Sequence, residues 1–184
     1  MALTLDGTAG ITFPVTAGTA SAVQASSGRV LQVVSVTKTD NFSTTSGTLV
    51  DITGLSATIT PSSSSSKILI TVAIQVGGNN NYYAEFSLLR GSTAIGNYTG
   101  GSGGTPGFMG ANSVNDYAQY YIETAANQYL DSQATTSATT YKMQVQSLNQ
   151  DAGGNTIYIN RTLDVGNSVR CTGSSVITLM EIAA

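Results

Sequence analysis

Histidine and tryptophan are absent from these 184 residues, and cysteine occurs once, at Cys171. Without histidine, neither a Ser-His-Asp nor a Cys-His nucleophile can be assembled, and no imidazole is offered to a metal. One cysteine permits neither an intrachain disulfide nor a cysteine-rich zinc cluster. Arg170 beside Cys171 is a neighbour of the kind that lowers a thiol pKa, although a lone cysteine is more often a small packing residue. Charge is scarce as well. Seven Lys and Arg and ten Asp and Glu make 9% of the chain, where about a quarter is usual. With a net charge of −3 and scattered cations there is no basic patch, so nucleic acid is not an expected partner. No apolar run approaches the ~20 residues of a membrane helix, so membrane insertion is not expected. Met1 to Asp6 has neither the basic start nor the long apolar core of a signal peptide, which predicts synthesis in a cytoplasm without the standard export route.

Gly, Ser, Thr, Asn and Gln fill the places that charge leaves empty. The surface is therefore polar but nearly uncharged, as in strand-rich proteins that meet neighbours over wide faces. Lys67 to Val76 sets Ile68, Ile70, Val72, Ile74 and Val76 on one face of a strand, and Leu69, Thr71, Ala73 and Gln75 on the other. The first set must be buried; the second is free to meet another sheet or a partner chain. Leu55, Ala57 and Ile59 alternate with polar residues just before, and Pro61 with Ser62 to Ser66 is read as the turn of a hairpin between the two segments. Further strands are expected at Val30 to Thr37, Leu49 to Thr53, Tyr82 to Arg90, Thr93 to Tyr98, Asn115 to Ile122, Gln128 to Asp131, Tyr141 to Leu148, Thr156 to Arg161 and Ser174 to Ile182. Tyr141 to Leu148 is read as half-exposed and Gly100 to Gly110 as a loop. About ten short strands divided by Gly, Asn and Ser turns predict an all-β fold, an antiparallel β-sandwich or jelly roll over residues 29–184. A weak internal echo, Ser56 to Ile74 against Leu130 to Val145, runs through it.

Residues 1–28 differ. Leu3, Leu5, Ile11, Phe13 and Val15 are spaced by Gly and Pro, too few to build a core, so the segment is expected to order only against something else. It is either a frayed terminus or an extended docking arm that adds to a partner's surface, and those five residues are the docking candidates. Chemistry offers thinner material. Asp116 and Glu123, flanked by Tyr117, Tyr120 and Tyr121, are the best carboxylate pair for sugar hydrolysis, though such pairs are usually solvated surface charges. Gly100 to Gly107 lacks the spacing and following helix of a phosphate loop. Asp151 with Asn149 and Asn155 is a slight calcium candidate that fits an ordinary turn better. No cofactor or metal is expected. Nine tyrosines among Asn, Ser and Gly have the composition of an adaptable binding surface, although tyrosine is also simply common in strands. Asn79, Asn80, Tyr82, Tyr83, Tyr98 and Phe108 are the contact candidates.

Several blocks carry a resemblance. Ala2 to Pro14 (Ala-Leu-Thr-Leu-Asp-Gly-Thr-Ala-Gly-Ile-Thr-Phe-Pro) looks like the N-terminal arm of phage structural proteins, tail-fibre types among them. Gly28 to Asp40 (Gly-Arg-Val-Leu-Gln-Val-Val-Ser-Val-Thr-Lys-Thr-Asp), Val50 to Ser56, Ile59 to Ser62, Ser66 to Leu69, Leu89 to Thr93, Leu130 to Ser132, Thr136 to Lys142, Tyr158 to Arg161 and Thr178 to Ile182 resemble a domain recurrent in marine and cyanobacterial phage proteins. The body is also similar to the trimeric jelly roll of complement C1q and tumour-necrosis-factor proteins. The resemblance implies a homotrimeric virion protein assembled in the host cytoplasm. Its arm would dock on other virion proteins of tail or capsid, and its loops would touch a host surface glycan or protein. A capsid-decoration or head-fibre protein and a glycan depolymerase are the alternatives.

Overall fold

In the computed structural model the described residues are 4–6, 10–12, 28–79, 81–99, 107–113, 118–148, 155–163 and 171–184. Alternating β-branched and aliphatic residues make most of it strand. In chain order these are β1 (Thr4–Asp6), β2 (Gly10–Thr12), β3 (Val30–Lys38), β4 (Phe42–Thr44), β5 (Val50–Ile59), β6 (Lys67–Gly78) and β7 (Tyr82–Arg90). They continue as β8 (Thr93–Ile95), β9 (Met109–Ser113), β10 (Glu123–Asp131), β11 (Thr139–Ser147), β12 (Ile157–Ile159) and β13 (Ser175–Ile182). A single 3-10 turn, Ala118–Tyr120, is the only helical element among the described residues.

All pairings are antiparallel. In sheet I, β6 is flanked by β10 on one edge and by β13 and β12, end to end, on the other; β3 and β4 lie outside these two in turn. In sheet II, β11 lies between β5 and β7, and β8 and β9 share the far edge of β7. Each sheet is thus four lanes wide. From β5 onward the chain keeps changing sheet: II for β5, I for β6, II for β7 to β9, I for β10, II for β11, I for β12 and β13. That winding is a jelly roll.

The alternation in β6 is as the sequence predicts. Ile68, Ile70, Val72, Ile74 and Val76 are all buried, against Leu55, Ile59, Phe86, Leu88, Tyr141, Met143 and Val145 of the other sheet in one cluster. The hairpin is not. β5 pairs with β11 and never with β6, so Pro61 and the serine run carry the chain from one sheet across to the other. A connection over residues 60–66 is long enough to span the ~10 Å between packed sheets, and the buried alternation of each strand is satisfied either way. The expected strands at Leu49 to Thr53 and Leu55 to Ile59 are one strand, interrupted at Gly54. There φ is +84° and the register with β11 shifts, the geometry of a bulge that glycine alone adopts without strain.

Other differences follow from packing. β11 is more buried than its Gln and Lys predict: Gln146 and Ser147 are covered as well as the inward row. β8 ends at Ile95, and Met109 and Gly110, expected in a loop, begin β9 on β7. Part of the strand expected over Asn115 to Ile122 is the 3-10 turn, and its residues 115–117 lie outside the described ones.

Candidate interaction surfaces

The six residues picked as contacts do not share a surface. Tyr82 is 2% exposed. It shares parity with Ala84, Phe86 and Leu88, so its ring turns into the core, where Gly78 leaves room that a Cβ would fill. Its hydroxyl donates to Glu123 Oε1 at 2.6 Å. Burial, and then that carboxylate, push the phenol far above its usual range, so it stays a donor. Phe108 is buried too, part of the core cluster, and its carbonyl accepts from Asn127 Nδ2 at 2.7 Å. Neither ring is a contact residue; both expectations are corrected. Tyr83 points the other way at 36% exposure, and Tyr98 is 66% exposed. Asn79 is half-buried, and its Oδ1 accepts the Thr156 amide at 2.7 Å. Asn80 lies outside the described residues. Tyr121, at 62% exposure, is a further outward ring near the same end, where its carbonyl lies against Gly77. The parity of Tyr82 was readable in the sequence, whereas nothing local marks Phe108 as buried.

Of the docking candidates, Leu5 and Ile11 are register partners in the short β1–β2 ladder. Leu3, Phe13 and Val15 lie outside the described residues. Gly28 N donates to Ala183 O, and Ala183 N to Arg29 O, each at 2.8 Å, so the chain enters β3 beside the end of β13.

The buried polar groups hold the sandwich together. Arg90 Nη1 on β7 reaches both oxygens of Asp131 on β10, at 2.9 and 3.0 Å, and the buried Tyr141 of β11 donates to Asp131 Oδ2 at 2.7 Å. This cluster ties sheet II to sheet I. Gln133 Oε1 faces the Tyr141 hydroxyl at 3.1 Å, which leaves its Nε2 buried without an acceptor among the described residues. With the amide turned over, that N–H would donate to the Tyr141 oxygen while the phenol proton goes to Asp131. Glu181 is fully buried, with no cation paired to it among the described residues. Ser62 donates to it through both N (2.8 Å) and Oγ (2.6 Å), and Gln32 Nε2 donates at 2.6 Å. Burial raises its pKa, but the hydrogen bonds from Ser62, Gln32 and Ser66 outweigh that and hold it at about 2. Asn160, at positive φ, donates to the carbonyls of Lys38 and Asp40 and accepts from Ser175.

Of the carboxylate pair, Asp116 lies outside the described residues, and Glu123 is engaged with Tyr82. Asn149 and Asp151 are also outside them, and the Asn155 amide donates to the Asn81 carbonyl. Cys171 is exposed.

The outward side of sheet I differs from the rest of the surface. Register aligns Val33, Met180, Leu69 and Leu130 in one row across four strands. Ser35, Thr178, Thr71 and Gln128 form the next, and Thr37, Val176, Ala73 and Ala126 the third. None is ionisable. Val33 is 56% and Leu130 47% exposed. Lys67 stands at one margin, and Arg161, over the Tyr158 ring at 4.3 Å, at the other. The outward side of sheet II instead carries the Asp51–Lys142 pair (2.7 Å) and Glu85, whose pKa burial raises.

No family model matches the chain, and no curated protein does. Among solved structures, a chain in the structure of infectious bursal disease virus Gx strain is similar over 99% of this chain, at 13% identity and a TM-score of 0.43. This chain spans 46% of the length of that neighbour.

Proposed function

We propose that this chain is a bacteriophage virion structural protein, a homotrimeric, tail-fibre-like appendage that docks on the particle through its N-terminal arm. The sandwich is then the displayed head, and attachment to a host surface is its work. Adhesion and assembly without covalent chemistry are its whole mechanism. The observation that carries the reading is the outward side of sheet I, three aligned rows without an ionisable group, on a jelly roll whose buried polar groups are spent on its own cohesion. A solitary protein has little use for such a face; a subunit of an assembly does. The phage resemblance of nearly the whole chain, arm included, supplies the virion. Tyr83, Tyr98 and Tyr121 are the exposed rings left for a host glycan or protein.

Immunogold labelling of intact phage particles with antibody against residues 29–184 tests this. Gold on the tail or its fibres is the expected result. Gold over the head would replace the appendage by a capsid decoration held by the same arm. Absence from the particle would overturn the structural role itself.

A further inference from the structure

We propose that copies of this chain meet through the outward side of sheet I, with the aliphatic row and the hydroxyl-amide row beside it at the centre of the contact. The inference rests on the reading of the chain as an assembling subunit and says which surface assembles it. In a trimer the side chains close to the three-fold axis meet their own copies, so an ionised group there would face like charge. A hydroxyl or carboxamide faces a partner instead, because it both donates and accepts. Every polar group in the central rows is of that second kind. A foreign partner would have no reason to require it, whereas a self-contact does.

Four lanes at about 4.8 Å and three outward rows at about 6.8 Å give a patch of roughly 400 Å2 in projection, about half of the ~800 Å2 that each partner of a standard interface buries. Shape agrees with a self-contact. Ala73 and Ala126 keep one row low, and beside them a shallow depression of about 330 Å3, lined by Thr71, Val72, Ala126, Asn127 and Gln128, would seat a side chain of the neighbour.

The full chain is tested by light-scattering mass at tens of micromolar, as wild type and as Thr71→Arg, Gln128→Arg and Thr53→Arg. Thr53→Arg places the same charge on exposed β5 of the other sheet. The wild type and Thr53→Arg should show the same multiple of 18.9 kDa, while Thr71→Arg and Gln128→Arg fall to the single mass with an unchanged circular dichroism spectrum. Gln128 is exposed on the edge lane, so its substitution serves if Thr71→Arg fails to fold. Sheet I variants that keep the wild-type mass would overturn the inference and leave assembly standing. A wild-type mass of 18.9 kDa would overturn both.

Discussion

Replacing Asp131 by Ala should be among the most damaging single changes in the sandwich, and the reason lies in what it strands. The carboxylate is buried (side-chain exposure 6%) and receives Arg90 from one side and the Tyr141 hydroxyl from the other. Tyr141 is fully buried, and its hydroxyl would lose its shorter hydrogen bond and keep only the Gln133 amide beside it, at about 1 kcal/mol. Breaking a buried ion pair costs about 3–5 kcal/mol when the remaining charge is trapped. Here the Arg90 side chain is 33% exposed and can recover part of its hydration, so the lower end applies. About 4 kcal/mol in total is the expectation. For a domain of this size that is a fall in Tm of roughly 8–16 °C.

Tyr141→Phe removes the hydroxyl's bonds to Asp131 and Gln133 and leaves Asp131 with Arg90, so it should cost about 1–3 kcal/mol. The double change Arg90→Met with Asp131→Leu exchanges the pair for apolar groups and should cost less than Asp131→Ala alone. Urea titrations followed by tyrosine fluorescence give these values from the midpoint at constant m. An Asp131→Ala protein within 1 kcal/mol of wild type would refute the idea that this cluster clamps the two sheets.

Two further outcomes follow from the site geometry. The Glu181 carboxyl is held at about 2 in the folded state against 4.5 when unperturbed, so the unfolded chain takes up its proton first. Its stabilisation is therefore complete above about pH 4.5 and is lost as pH falls through about 2, at most about 3 kcal/mol in all. Glu181→Gln should flatten that acid limb of a stability-against-pH curve, and an unchanged limb would count against the hydrogen-bonded carboxylate. Tyr82→Ala should destabilise by about 3–5 kcal/mol through an emptied core position, while Tyr83→Ala stays within about 0.5 kcal/mol. Thermal melts separate the two, and equal losses would mean the parity of β7 is misassigned.

Much of the sandwich was legible because period-two alternation is strong where one face is buried. β3, β6, β7 and β13 lie within a residue or two of where their aliphatic residues predict them. Partners were less legible than strands. Leu55 to Ile59 and Lys67 to Val76 bury the same residues whether they pair with each other or cross between sheets, and only distant β10 and β11 decide it. Tyrosine misled for a related reason. Composition counts rings as surface, while parity sends Tyr82 inward and Tyr83 outward in one strand. The uncharged outward side of sheet I was half visible, since Leu69, Thr71, Ala73 and Gln75 could be read along β6. Its breadth needed the register of three more strands.

The weak echo between Ser56 to Ile74 and Leu130 to Val145 gains a physical meaning from the same pairings. Both segments are arches: β5 crosses from sheet II to β6 in sheet I, and β10 crosses from sheet I to β11 in sheet II. They lie side by side, β6 against β10 and β5 against β11, so each arch is the other's neighbour in both sheets. Beneath the arches the core ends in one cross-strand row, with Glu181 and Asp131 on either side of Ile68. An aliphatic residue at those two places would leave the crossing chains unanchored. A carboxylate gathers them instead: Glu181 takes the amide and hydroxyl of Ser62 from the first arch, and Asp131 takes Tyr141 from just beyond the second. Among the described residues Arg90 is the only cation paired with either, and the donors to Glu181 are the neutral groups of Ser62 and Gln32. The sequence spends scarce charge where the chain changes sheets and withholds it from the face proposed to meet other copies.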